Sequence, residues 1–214
     1  MAVEGMECSG KTTVVETCAR ALNDASVSTA VVGEFSESPL GDYLHARLSR
    51  DRFLRDPDRP RTAWTQAFAV AADTAFAFEY TIADLRASHQ VVLKDRYRES
   101  LVACQHTALA DEYAMTDDEA HQLLADVAAK LPDVADLVIW LDVPEHERYA
   151  RLRARGDFME GDQGILARRE IAYRKLLGAA DWPGGHEVVD GAGSSEEVMG
   201  RVLRLIEQKL TGTN

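Results

Sequence analysis

The sequence predicts an α/β fold, in which helices cover both faces of a parallel sheet of about five strands. Short, continuously apolar runs of strand type alternate with helical patterns, which is the order that parallel strands with helical crossovers require. Acidic residues follow three of these runs, at the strand ends where parallel sheets bind ligands: Glu34, Asp95 and Asp142. We expect one domain over residues 1–214, with an arginine-rich lid at about 148–165.

Strand and helix patterns can be placed in order along the chain. The predicted strands are a short segment before residue 5 and the runs 29–35, 90–94, 136–143 and 186–190. Helices are predicted from residues 14, 39, 64, 116 and 194 and after Pro144, with capping boxes at 116–119 and 194–197. The helix 64–85 carries an apolar stripe that fits either a core helix or a dimer contact: Trp64, Phe68, Ala71, Ala75, Phe78, Ile82 and Leu85.

Composition excludes several classes of protein. The chain has 46% hydrophobic residues, enough for one well-packed core. Its formal net charge of −12 argues against binding a nucleic acid polymer, which normally requires a basic face. No apolar run approaches the length of a membrane span. Cys8, Cys18 and Cys104 lack metal-ligand spacing, so we expect reduced thiols in a cytoplasmic protein.

Residues 5–12 fit the pattern G-x-x-x-x-G-K-[ST], between a short apolar segment and a helical pattern. Gly5 and Gly10 permit the backbone angles with which successive amides curl around a phosphate chain. Lys11 would place its charge against the outer phosphates, and the Thr12 hydroxyl can bind Mg²⁺. The pattern predicts a phosphate site formed by Gly5, Glu7, Cys8, Ser9, Gly10, Lys11, Thr12 and Thr13.

Taken in order, the motifs resemble the thymidylate kinase family, within the nucleoside and nucleotide kinases that are built on a P-loop. Four stretches carry the resemblance: residues 4–13, with Glu7 at a characteristic carboxylate position; Glu34 with 38–41; D-R-Y-x-x-S and the residues after it at 95–105; and 131–144. An arginine-rich lid follows from Arg148 to residue 160, and Tyr173 lies where the family has a tyrosine. The resemblance spans nearly the whole chain.

The resemblance implies a P-loop kinase with ATP and Mg²⁺ as cofactors. Phosphoryl transfer depends mostly on positioning and charge neutralisation, which Lys11 and the lid arginines Arg151, Arg153 and Arg155 would supply. These arginines are spaced by two, so they fan out on a helix and one or two of them would reach the phosphates. A solvated basic surface is the alternative interpretation.

Two further implications concern the acceptor and the assembly. Asp95 would organise Mg²⁺ through water, and Arg96 would contact the acceptor near the transferred group. A structural pair of Asp95 and Arg96 is the alternative. The family also implies a homodimer through the helix 64–85, although a helix buried in a monomer would show the same stripe.

The acceptor half departs from the family at four positions. The family has two arginines, a stacking aromatic residue and a polar residue that reads thymine where this chain has Gly33, Thr74, Val70 and Leu101. Each lost arginine removes charge-assisted hydrogen bonds of about 1.5–3 kcal/mol. Local realignment offers Phe68 for stacking and Arg47 or Arg52 for anion contact. We therefore expect the usual donor site and a changed acceptor site.

The nature of the acceptor has two interpretations. We expect a small-molecule kinase that phosphorylates a nucleotide or a nucleotide-like acceptor. The alternative acceptor is a hydroxyl group of a nucleoside or specialised metabolite, which would benefit from Glu34 or Glu7 as a base. Glu34 could instead only brace Arg96. A regulatory NTPase is a remote alternative, and the sequence lacks the N-K-x-D guanine motif.

Overall fold

A parallel sheet lies at the centre of the fold. The computed structural model describes residues 1–55, 61–132, 135–179, 182–183 and 185–212. Within these ranges the sheet has five strands: β1 (Ala2–Gly5), β2 (Thr29–Val32), β3 (Val91–Asp95), β4 (Val138–Asp142) and β5 (His186–Asp190). They are all parallel and follow the order β2-β3-β1-β4-β5. The sheet confirms the predicted α/β fold.

Helices connect and cover the strands: α1 (Lys11–Asp24), α2 (Pro39–Leu48), α3 (Ala63–Ala77), α4 (Ala83–Ser88), α5 (Arg98–Tyr113), α6 (Asp117–Lys130), α7 (Glu145–Ala154), α8 (Gln163–Gly178) and α9 (Ser195–Thr211). A π-helical turn, Phe78–Ile82, joins α3 to α4, and a 3-10 turn, Glu160–Asp162, precedes α8. Both predicted capping boxes form, at Thr116 and Ser194. None of the helices within the described ranges has the length and apolarity needed to cross a membrane.

Apolar side chains pack on both faces of the sheet. On one face, α1 and α9 pack against Leu93 and Ile139. Val92 and Trp140 point to the opposite face, because successive strand residues alternate. They pack against the π turn and α8, respectively. Burial on both faces explains why β3 and β4 read as continuous apolar runs.

The predicted helix 64–85 is present, but its buried face differs from the prediction. α3, the π turn and α4 run from residue 63 to residue 88. The face of α3 that enters the core consists mainly of small residues, including Ala67, Ala71 and Ala77. Phe68 is 53% exposed, so it does not belong to a core stripe, and the alternative of a dimer contact stays open for it. Small side chains allow α3 to pack closely against α5, and the larger aromatic residue is left outside.

The carboxyl ends of β1 and β3 lie next to each other. Val3 pairs with Asp95 across these strands, so the glycine-rich loop after β1 begins beside the end of β3. Glu34 follows β2, which ends at Val32. Asp142 ends β4, but its carboxylate accepts a hydrogen bond from Arg174 at 3.0 Å. The cleft at this edge therefore includes Glu34 and Asp95, and Asp142 is not among the residues that line it.

Candidate active site

The loop between β1 and α1 has the shape of an anion cradle. Gly5 has a φ of +155°, and a Cβ there would lie 2.6 Å from Ser9 Oγ. Gly10 has a φ of +92°, in the left-handed region that favours glycine. Since α1 begins directly after the loop, its free N–H groups and dipole point toward the same space. The loop therefore has the backbone shape that the glycine pattern predicts.

Lys11 lies within this loop. Its side chain is buried, and Nζ donates a hydrogen bond to Met6 O at 2.9 Å. Burial and the nearby Arg96 lower the pKa of Lys11, whereas the carboxylates of Asp95 and Glu7 oppose that change. A phosphate group against Nζ would favour the charged form further. Lys11 therefore supplies a cation to the surface of the cleft beside the loop.

Thr12 and Asp95 meet between the loop and the end of β3. Thr12 Oγ1 donates a hydrogen bond to Asp95 Oδ2 at 2.6 Å. Asp95 Oδ1 is buried and has no hydrogen-bond partner among the described residues. These ranges also contain no cluster of three or more His, Cys, Asp or Glu that could hold a metal. Mg²⁺ commonly takes one or two protein oxygens and completes its shell with phosphates and water, so this pair fits it.

Arg96 is held in the cleft by neighbours from four segments. It directly follows β3, and its backbone has a φ of 59°, in the left-handed region. Nη1 donates to Gly5 O at 3.3 Å and lies 3.1 Å from both Ser100 Oγ and Tyr173 OH. Nε lies 3.4 Å from Glu34 Oε1. The guanidinium is therefore fixed beside the glycine-rich loop.

Glu4 holds the residues that surround Arg96. It is completely buried and accepts hydrogen bonds from Tyr97 N–H at 2.6 Å and from Ser100 Oγ at 2.8 Å. Tyr173 OH donates to it at 3.2 Å. Burial and the nearby Glu99 raise the pKa of Glu4 to about 7. Glu4 thus fixes the start of α5, and this places Ser100 beside Arg96.

The lid arginines take three different positions. Arg151 Nη1 donates to Cys8 O at 3.2 Å. Arg155 lines the cleft, with Nη1 3.6 Å from Cys8 Sγ. Arg153 instead lies over the ring of Phe158, 4.4 Å from its centroid. Two of the three predicted arginines therefore contact the loop, and Arg153 does not.

Arg148, at the start of the predicted lid, has a different environment. It is 1% exposed, donates from Nε to Val143 O at 3.0 Å and pairs with Glu170. These contacts join the end of β4 to α8, so Arg148 supports the helix that carries the other arginines.

Comparison with known proteins agrees with this geometry. A family model described as thymidylate kinase matches residues 3–199, which covers most of the chain. The chain belongs to the thymidylate kinase family. It is similar to the thymidylate kinase of Nostoc punctiforme, with 28% identity over 98% of this chain and 95% of the relative. A probable thymidylate kinase of Pyrococcus horikoshii is 25% identical over 98% of this chain and 96% of the relative. A thymidylate kinase of Xanthomonas euvesicatoria is 29% identical over 96% of this chain and 82% of the relative.

As a member of this family, the protein is a phosphotransferase, a thymidylate-kinase-like, ATP-dependent nucleotide kinase. The loop, Thr12 with Asp95, and Arg96 open into one cleft of about 730 Å³. The predicted loop residues that line it are Glu7, Cys8, Gly10, Lys11, Thr12 and Thr13. Gly5 and Ser9 shape the loop beneath that surface.

Of the four positions at which this chain departs from its family, only two line the cleft. Val70 and Thr74 line the cleft, and Thr74 Oγ1 donates to Val70 O at 2.8 Å. Leu101, which replaces the family's polar residue, is 0% exposed and packs in the core, so it does not line the cleft. Phe68 does not line the cleft and stacks on Trp64 instead.

Arginines of another segment also lie in the cleft. Arg50, Arg52 and Arg55, which follow α2, line the cleft. Arg52 and Arg55 both face Asp162 of the 3-10 turn. Of the two arginines that the sequence suggested for anion contact, Arg52 lines the cleft, whereas the Arg47 guanidinium donates to Leu54 O at 3.1 Å.

Several cations of the cleft were not predicted: Lys94 and Arg169, besides Arg50 and Arg55. Lys94 is 5% exposed, and its Nζ donates to Gly33 O and to Glu34 O, the latter at 2.8 Å. Burial lowers the pKa of Lys94 to about 8. The signal for Lys94 was a cation at the end of an apolar strand. Arg169, on α8, lies 2.5 Å from Glu7, and nothing in its local sequence marks it.

Proposed function

We propose that this kinase transfers the γ-phosphoryl group of ATP to a nucleotide or nucleotide-like acceptor held beside Arg96. The observation that carries the proposal is the position of Arg96. Its guanidinium is bonded to Gly5 O at the base of the phosphate loop and also borders the acceptor half of the cleft. An acceptor phosphate bound there would lie next to the donor phosphates, as direct phosphoryl transfer requires.

The chain's own residues would hold and neutralise the donor. The loop amides and Lys11 would bind the phosphate chain, with Arg151 and Arg155 approaching from the lid side. Thr12 and Asp95 would hold Mg²⁺, which supplies charge neutralisation at the phosphate oxygens. Arg153 points elsewhere, so we assign it no contact with the phosphates.

The acceptor is proposed to differ from thymidylate. Val70 offers no aromatic face for a base, and the Thr74 hydroxyl already donates to Val70 O. The cations on this side come from the segment after α2, which includes Arg50 and Arg52. A panel of deoxy- and ribonucleoside monophosphates, assayed with ATP and Mg²⁺, tests the proposal. Turnover of dTMP at the efficiency usual for the family would show that the pocket is unchanged.

A hydroxyl acceptor is the second candidate, with Glu34 as the general base. Glu34 lines the cleft, and its side chain is 32% exposed, so a substrate could reach it. Its ion pair with Arg96 instead favours the bracing role. Nucleosides and other unphosphorylated acceptors therefore belong in the same panel. ATP hydrolysis that no acceptor changes would favour a regulatory NTPase.

We also propose a homodimer formed through α3 and the π turn. Aromatic residues on this surface stack in pairs, Trp64 with Phe68 and Phe76 with Tyr80. Phe68 and Tyr80 are 53% and 66% exposed and form an apolar surface that a second copy of the chain would cover.

The free thiols of Cys8, Cys18 and Cys104 support a cytoplasmic location.

A further inference from the structure

Arg169 contacts the carboxylate of the phosphate loop. Its Nη1 lies 2.5 Å from Glu7 Oε1, and the two side chains are only 4% and 14% exposed. Both residues line the cleft. Glu7 is the one acidic residue of the segment 5–12. Its negative charge therefore lies within the loop that would bind an anion.

A carboxylate at this position opposes an anionic ligand unless a cation neutralises it, because like charges repel strongly where water is scarce. Burial alone would raise the pKa of Glu7, but Arg169, together with Arg96 and Lys11, lowers it to about 2. Glu7 is therefore ionised at neutral pH. Of these cations, Arg169 is the one that forms an ion pair with it.

Arg169 also joins other segments of the cleft. Its Nη2 donates to Cys104 O of α5 at 2.9 Å. Its guanidinium carbon lies 4.6 Å from the ring centroid of Phe53, which belongs to the segment that carries Arg52. A planar guanidinium can donate in its plane and stack on a ring at the same time, whereas a lysine ammonium cannot.

We propose that Arg169 is a positioning residue that neutralises Glu7 and fixes the phosphate loop to α8, so that the loop accepts an anionic phosphate chain. Arg169 acts through Glu7, because its Nη1 donates to the Glu7 carboxylate and its Nη2 donates to Cys104 O. α8 begins directly after the 3-10 turn at the end of the lid, so the contact also connects the loop to that region. The inference rests on the proposed function, because ATP is the ligand concerned.

The test measures binding of Mg²⁺–ATP to the full chain without any acceptor, by isothermal titration calorimetry. Arg169→Met should raise the Kd about tenfold or more, because it leaves the Glu7 carboxylate unpaired. Arg169→Lys should give an intermediate Kd. In the Glu7→Gln background, Arg169→Met should change the Kd by less than about threefold, because no carboxylate is left to neutralise. Arg168→Met is the matched control, since Arg168 pairs with Asp111 and Asp117 on the surface.

Thermal unfolding of each variant separates lost binding from lost structure. If Arg169→Met does not fold, the Kd values of Glu7→Gln and of the double variant still test whether Arg169 acts through Glu7. Weakening of about tenfold or more in the Glu7→Gln background would overturn the inference, and so would unchanged ATP binding by Arg169→Met. If the wild-type protein bound no Mg²⁺–ATP, the proposed function and the inference would both fail. If the protein binds Mg²⁺–ATP but the substitutions at Arg169 and Glu7 show no coupling in the Kd, only the inference fails.

Discussion

The guanidinium of Arg96 lies 3.4 Å from the carboxylate of Glu34, so the end of β3 is tied to the segment after β2 inside the cleft. If Glu34 braces Arg96, Glu34→Gln should raise the KM for the acceptor and leave kcat within about tenfold of the wild type. A general base would instead contribute roughly 10²–10⁴-fold to kcat. Steady-state kinetics at saturating ATP measures the difference. Glu37→Gln, at an exposed neighbouring carboxylate, is the control.

Lys11 is the cation of the phosphate loop, and its replacement should remove activity without removing the fold. We expect Lys11→Ala to lower kcat by about 10³-fold or more, since one preorganised charge at developing negative charge is worth at least about 10²-fold. The thermal unfolding midpoint should stay close to that of the wild type. The exposed Lys130→Ala should keep full activity. Retained phosphoryl transfer by Lys11→Ala would refute the assigned role.

The donor half of the site could be located from sequence because its geometry is mostly local. Residues 5–12 are consecutive, and Asp95 and Arg96 directly follow a buried strand. Parallel strands bring such ends together whatever the details of packing. Arg169 lies 162 positions from Glu7 along the chain, so only the tertiary fold reveals the pair.

Helices α5 and α8 were not predicted from the sequence. For α5, the pattern of buried residues explains why. α5 buries Arg98, Glu99, Gln105 and His106 as well as apolar residues. Buried polar side chains on a helix obscure the apolar periodicity on which helix prediction depends. The same helix explains why Leu101 does not line the cleft. One residue after Ser100, the helix has turned by about 100°, so Leu101 faces the core instead of the cleft.

The lid arginines provide an internal comparison. Arg155 lines the cleft beside Cys8, whereas Arg153 covers the ring of Phe158. We expect Arg155→Ala to lower kcat by about 10²-fold or more, as expected for a charge at the transferred group. Arg153→Ala should change kcat by less than about threefold, because an exposed cation–π contact is worth only about 0.5–1 kcal/mol. Equal losses in both variants would contradict the assignment, and single-turnover kinetics would measure them.

Exposed aromatic residues on α3 and the π turn make the proposed homodimer testable. Phe68→Glu or Tyr80→Glu places a charge on the surface that the second copy would cover, so we expect the variants to be monomeric. Sedimentation velocity over a range of concentrations measures this. Tyr43→Glu changes an aromatic residue of α2 with 43% exposure and should leave the dimer intact. A wild-type protein that is monomeric at every concentration would exclude the assembly.

His106 should make the protein less stable in mild acid. It is 1% exposed, and burial lowers its pKa to about 4, with Arg168 and His121 acting in the same direction and Asp117 opposing them. Between pH 6.5 and pH 4 the unfolded chain binds a proton that the native His106 does not, so the unfolding free energy falls as the pH falls. The loss should reach about 3 kcal/mol, since one pKa unit corresponds to about 1.4 kcal/mol. Urea unfolding at pH 7.5, 5.5 and 4.5 should show that His106→Gln removes this part of the slope. His146→Gln, at an exposed position, should keep it, and identical slopes for all three proteins would show that His106 does not carry the effect.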